Sequence, residues 1–207
     1  MTEDRLAGAI RELVEQVANG TAAAEALADA ASAIELATRR LREAGGRRAL
    51  SYEIDGERPD RSEYRRHNPV SGERNPLAPP LRYDTVGEGT VEATVTFGVA
   101  YQGPPGYVHG AFIAGVFDDA LGLANLAGGH PGMTVKLEVR YRRPTPLRTP
   151  LRVLARHTSR DGRRIFASAE MLAGDEVTAE AEGVFAEITA ERAAALFAQL
   201  DARRERG

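Results

Sequence analysis

Residues 103–122 read GPPGYVHGAFIAGVFDDALG, a glycine- and proline-rich turn that runs into an apolar stretch. Beyond His109 the chain carries Phe112, Ile113, Val116, Phe117, Leu121, Leu123 and Leu126. Apolar residues at those spacings cover most sides of a helix, and such a helix must be surrounded by other structure. The expected helix spans about Gly110 to Ala127 and stops at Gly128-Gly129, since glycine supplies the backbone conformation that ends helices. Asp118 and Asp119 sit inside it. A carboxylate in so apolar a setting is costly unless it is exposed, paired or used.

The flanks supply the surroundings. Val91, Ala93, Val95, Phe97 and Val99 alternate with polar residues, which predicts a half-buried strand. After the helix, PGMTVKLEVRYRRPTP (131–146) predicts a second strand with Met133, Val135, Leu137, Val139 and Tyr141 on the apolar side and Thr134 on the other, stopped by Pro144 and Pro146. Three more strands are expected at 150–158, 163–173 and 176–188. Asp161-Gly162 suits a tight turn between the first two, and Gly174-Asp175 suits the next. One antiparallel sheet wrapped around one helix accommodates this order, an α+β arrangement.

Upstream, residues 3–44 have helical spacing with a break at Asn19-Gly20-Thr21, where Thr21 could cap a second helix that Gly45-Gly46 would end. Leu6, Ile10, Leu13, Val14 and Val17, then Leu27, Ile34, Leu36 and Leu41, outline an amphipathic packing or dimerisation arm. Residues 47–85 are rich in proline, glycine and charge, and segment 68–81 (NPVSGERNPLAPPL) reads as an irregular arm or lid. A final amphipathic helix is expected over 190–203.

Composition narrows the function. The 207-residue chain has a net charge of −3 and no basic tract, so nucleic acid is not an expected partner. It has no cysteine, which excludes disulfides, thiolate catalysis and cysteine-based zinc sites. The first residues lack the pattern of a secretory signal and no run reads as a membrane span, so the expectation is a cytoplasmic protein without a membrane partner. No phosphate-binding GxxxxGK loop is present. His67, His130 and His157 read as surface or loop residues.

His109 and Asp118 lie nine residues apart, about 13 Å along a helix and on roughly opposite sides of it, so they do not form one pair within a chain. Helix N-termini present unpaired N–H groups and positive potential, suited to an oxyanion. Gly110 lets a substrate oxygen approach its N–H closely.

The segment GPPGYVHGA (103–111), with an Asp nine residues after the His, resembles the active-site stretch of hotdog-fold thioesterases, closest to the phenylacetate-type acyl-CoA thioesterases whose turn reads GPPGxVHGG. The resemblance covers residues 86–190 and implies the hotdog fold there; outside it lie the N-terminal helical extension (1–48), the irregular arm or lid (49–85) and the C-terminal helix (191–207) read from spacing and composition. It implies hydrolysis of an acyl-CoA thioester to acid and coenzyme A, with coenzyme A as part of the substrate and no separate cofactor or metal. Asp118 would be general base or nucleophile, favoured over Asp119 by the spacing, and Asp119 would make a structural pair. His109 would orient the turn or donate a further hydrogen bond, and Gly110 N–H would polarise the carbonyl. Thr134 would help hold the attacking water. Arg140, Arg142 and Arg143, with Arg163 and Arg164, are candidates for the coenzyme A phosphates, and Phe112, Phe117 and Leu121 for the wall of an acyl tunnel. The site would be shared across a homodimer, with a homotetramer open. Ala111 replaces the last glycine of the motif, a mild change. Gly103 stands where some relatives carry an Asn that binds the carbonyl. A non-catalytic acyl-CoA-binding or regulatory hotdog protein is the alternative.

Overall fold

The computed structural model describes residues 2–20, 22–45 and 65–189, with Glu191, Arg192, Ala194, Ala195, Ala198 and Ala202. Those last six are helical; the rest of the expected C-terminal helix lies outside the described residues, as do Thr21 and Gly46. Helix α1 spans Thr2–Asn19 and helix α2 spans Ala24–Ala44. The N-cap of α2 falls on Ala23, which makes no side-chain cap, and Gly45 at φ 61° closes the helix.

Strands β1 (Arg82–Gly87) and β2 (Thr90–Val95) form a hairpin, and the central helix α3 covers Gly110–Ala127 as expected. Strands β3 (Gly132–Tyr141), β4 (Leu151–Asp161), β5 (Arg164–Ala173) and β6 (Glu176–Glu187) follow. All pairings are antiparallel, in the order β1-β2-β4-β5-β6-β3. Among the described residues the sheet thus has six strands rather than the five expected. Strand β1 lies in the stretch read as irregular arm: it is an edge strand with no fully buried residue, so its sequence carries no alternation. Strand β2 stops at Val95, and Val99 belongs to a short 3₁₀ turn over Val99–Tyr101. The β4–β5 turn is centred one residue later than expected, on Gly162 (φ 55°) and Arg163.

Small side chains let the sheet close on α3. Ala155, Ala169 and Ala181 face one another across three adjacent strands on the core side. Above them Val116, Phe117, Ala120, Leu121 and Ala124 of α3 are fully buried. A side chain at Gly183 would lie 2.6 Å from the Phe185 ring and 3.1 Å from Leu121, so this position holds glycine for want of space. Length and composition alone would let α3 cross a membrane; here its apolarity is accounted for by the sheet wrapped around it.

Beyond the C-terminal end of α3, His157 on β4 is half-buried. It shares a 2.9 Å hydrogen bond with the fully buried Asn125, and its ring centroid lies 4.8 Å from that of His130. His157 is therefore part of the packing rather than a plain surface residue. Burial, and then the neighbouring His130, hold its pKa below the ordinary imidazole value. A depressed folded pKa means stability that is present above the unfolded value of about 6.5 and lost as pH falls below it. Thermal melts across pH should therefore fall away below about 6.5, and His157→Gln should flatten that acid slope.

Candidate active site

The turn before α3 is sewn down by backbone bonds. Gly103 N–H donates to the Tyr107 carbonyl, Val108 N–H to that of Thr145, and His109 N–H to that of Tyr101, at 2.8–3.0 Å. A Cβ at Gly103 would come 2.9 Å from the His109 Cα, so no asparagine fits there in this arrangement. His109 is the N-cap of α3, with Nδ1 accepting from Ala111 N–H at 3.1 Å. With Nδ1 accepting, the proton of a neutral ring sits on the outward Nε2. Phe112 N–H turns back to the His109 carbonyl, and no described hydrogen bond takes up Gly110 N–H.

The space over Gly110 is used differently from the expectation. A Cβ there would lie 3.0 Å from the Tyr141 hydroxyl, which donates to the Gly110 carbonyl at 2.9 Å. The missing side chain therefore admits Tyr141, a residue the sequence reading placed only in a strand, while the N–H side stays open.

Asp118 is half-buried on α3, and Thr134 Oγ1 donates to its Oδ1 at 2.8 Å. A bulge on β3 creates that contact. Thr134 pairs with Phe185 but Lys136 pairs with Val184, leaving Val135 extra. Cross-strand partners share a face, so Thr134 stands on the core side with Phe185, as Leu137 and Val139 do with Gly183 and Ala181. The regular alternation expected from sequence fails here: Met133 and Val135 are 53 % and 68 % exposed rather than core. The described partner of Thr134 is the carboxylate itself, so its hydroxyl orients Asp118.

Asp119, the neighbouring acid, is tied into structure. Its Oδ1 accepts from the Asn68 side-chain amide at 2.9 Å, and its Oδ2 accepts from the Tyr83 hydroxyl. Burial, then the Asp119 charge, push the Tyr83 pKa well up, so the phenol stays a donor. Asn68 also accepts from Val70 and Ser71 N–H, which shapes the turn that reaches α3. Helix α1 holds this arm: Arg11 donates to the carbonyls of Gly72, Glu73, Asn75 and Ala78, and Arg74 pairs with Glu3 and Asp4. Glu15 of α1 accepts from Val99 and Ala100 N–H, at the 3₁₀ turn whose Tyr101 carbonyl holds His109.

Two clusters result where α3 meets β3, His109–Gly110–Tyr141 and Asp118–Thr134, separated by about 12 Å of helix. A single chain does not bring them together. Arg140, Arg142 and Arg143 lie with neither. Arg140 pairs with Glu180 across the strands, on the sheet face away from α3, and bonds Glu138; Arg142 bonds Glu180 and Arg143 bonds Glu176. Arg163 and Arg164 belong to the β4–β5 hairpin end. Phe117 and Leu121 are core residues, whereas Phe112 is at the surface, edge-on to Tyr101.

An antiparallel sheet wrapped around a central helix is the hotdog architecture. The thioesterase superfamily model matches residues 105–180. The crystal structure of a thioesterase superfamily protein is 36 % identical, superposes with a TM-score of 0.77, and aligns over 89 % of this chain and 90 % of its own. The chain belongs to the thioesterase superfamily. Mouse (Mus musculus) acyl-coenzyme A thioesterase THEM4 is 34 % identical over 85 residues, 41 % of this chain. That match spans 36 % of the mouse protein, little more than a third of its length. Zebrafish thioesterase superfamily member 2, at 15 % identity and a TM-score of 0.53 over 59 % of this chain and 91 % of its own, shares the fold.

Proposed function

We propose that this chain hydrolyses an acyl-CoA thioester to the free acid and coenzyme A, at a site assembled between two copies. The observation that carries the reading is the Asp118–Thr134 contact, which holds a carboxylate at the surface of α3 in a thioesterase superfamily chain. Asp118 either takes the proton from a water that attacks the carbonyl carbon, or attacks that carbon itself and forms an anhydride that water opens. In both routes the C–S bond breaks, the thiolate leaves and is protonated, and water supplies the acid oxygen. The developing oxyanion would be met by Gly110 N–H at the positive end of α3, with His109 Nε2–H beside it.

The split between the clusters is the reason for two copies, because Gly110 of one chain and Asp118 of another can face one carbonyl. Around the clusters Tyr107, Phe112, Met133, Val135 and Tyr141 are exposed, and among the described residues β3 is the edge of the sheet. A symmetric partner would cover such a face. The phosphates of coenzyme A need cations. Arg140, Arg142 and Arg143 at the end of β3 are the candidates, each exchanging its carboxylate for a phosphate.

Specific activity, read as thiol release, should fall on dilution together with the dimer fraction measured by light scattering. A monomer as active as the dimer would overturn the shared site. Thr134→Ala should lower kcat by about tenfold, the order of one hydrogen bond of about 1.4 kcal/mol, and Thr134→Ser should restore most of it. An unchanged rate in Thr134→Ala would leave that residue a packing role only.

A further inference from the structure

Helix α2 is 21 residues long and buries none of its side chains. Most helical stability in proteins comes from packing an apolar face, and α2 has such a face with nothing against it among the described residues. Leu27, Ile34 and Leu41 recur every seven residues and are 48 %, 44 % and 59 % exposed. Ala30, Ala37 and Ala44 recur at the same interval, three residues further on. A seven-residue repeat of two apolar positions is the seam of a paired helix.

We infer that α2 pairs antiparallel with α2 of a second copy of this chain. Size and charge both select this partner and this direction. In an antiparallel pair each large residue meets a small one: Leu27 faces Ala44, Ala30 faces Leu41 and Ile34 faces Ala37 of the other helix. Facing large and small side chains fill the space between helices. In a parallel pair Leu would stack on Leu and Ala on Ala, leaving alternate layers crowded and hollow.

Charge follows the same direction. The first part of α2 carries Glu25, Asp29 and Glu35, and the last part carries Arg39, Arg40 and Arg42 alongside Glu43. Antiparallel pairing lays the acidic part of one helix along the basic part of the other. Parallel pairing would set like beside like. The helix dipoles also favour the antiparallel form. This pairing does not depend on the hydrolase reading, since no α2 residue belongs to either site cluster.

The test uses the absence of native cysteine. The double variant Ala30→Cys/Leu41→Cys, purified as full chain and mildly oxidised, should run as a covalent dimer that reductant returns to monomer. Within one helix those positions are about 16 Å apart, beyond disulfide reach, so the link must join two chains. Each single variant should stay monomeric on the same gel. Adding Ile34→Asp to the double variant should cut cross-linking by at least tenfold. No covalent dimer from the double variant would overturn the proposal. So would equal linking by Leu41→Cys alone, which marks a parallel pair, or linking that survives Ile34→Asp, which marks random encounter.

Discussion

Asp118→Asn should lower turnover by a factor of about 10²–10⁴, the range that a positioned general base contributes, while thermal stability and molecular mass stay at wild-type values. The side chain is half-buried, and its recorded hydrogen bond is the one Thr134 donates, which an asparagine oxygen still accepts. The change therefore removes basicity and nucleophilicity without opening the core. Circular dichroism melts alongside thiol release check both halves. A variant that keeps the parent rate would remove Asp118 from the chemistry. A variant that loses rate only by unfolding would make it structural.

The adjacent acid should behave in the opposite way. Asp119→Ala leaves the Tyr83 hydroxyl and the Asn68 amide facing a vacated site. Hydrogen bonds to a charged group contribute about 1.5–3 kcal/mol each. With partial compensation by water at this half-buried position, the expected loss is about 3 kcal/mol. For a chain of this size that lowers Tm by roughly 6–12 °C. Tyr83→Phe should lose part of the same amount, and the double variant should lose less than the sum, because both changes break one contact. The measurement is a double-mutant cycle by denaturant melts. Additive losses would show that the arm does not act through Asp119. Two neighbouring acids thus separate: one variant costs rate, the other costs stability.

Much of this was legible in the sequence because it is written locally. Helix α3 is bracketed by a proline–glycine turn with His109 on one side and Gly128-Gly129 on the other, and its boundaries match the reading. Strands β4 and β5 alternate where one face lies on the core, and β6 does so from Ala179 onward, past a bulge that buries Thr178 beside Ala179. Strand β1 was missed because an edge strand with little burial has no alternation to detect. The sidedness of β3 was misread because the apolar series Met133, Val135, Leu137 continues straight through a bulge, and only the pairing with β6 reveals the extra residue.

The long-range contacts left no sequence trace. Arg11 donates to four carbonyls more than sixty residues away, and one arginine on an amphipathic helix gives no sign of that. Spacing ranked Asp118 above Asp119, but the physical distinction between them lies in Asn68 and Tyr83, which come from elements distant in the chain. Tyr141 likewise reads as one more strand residue until the end of β3 meets the start of α3.

The most direct measurement is thiol release by the purified chain from a series of acyl-CoA thioesters, acetyl to palmitoyl with phenylacetyl, run beside Asp118→Asn. Saturable release from at least one thioester by the wild type, lost in the variant, is the result the account predicts. Tight binding of those thioesters by calorimetry with no release from any of them would contradict it, and would describe a protein that senses acyl-CoA rather than cleaving it.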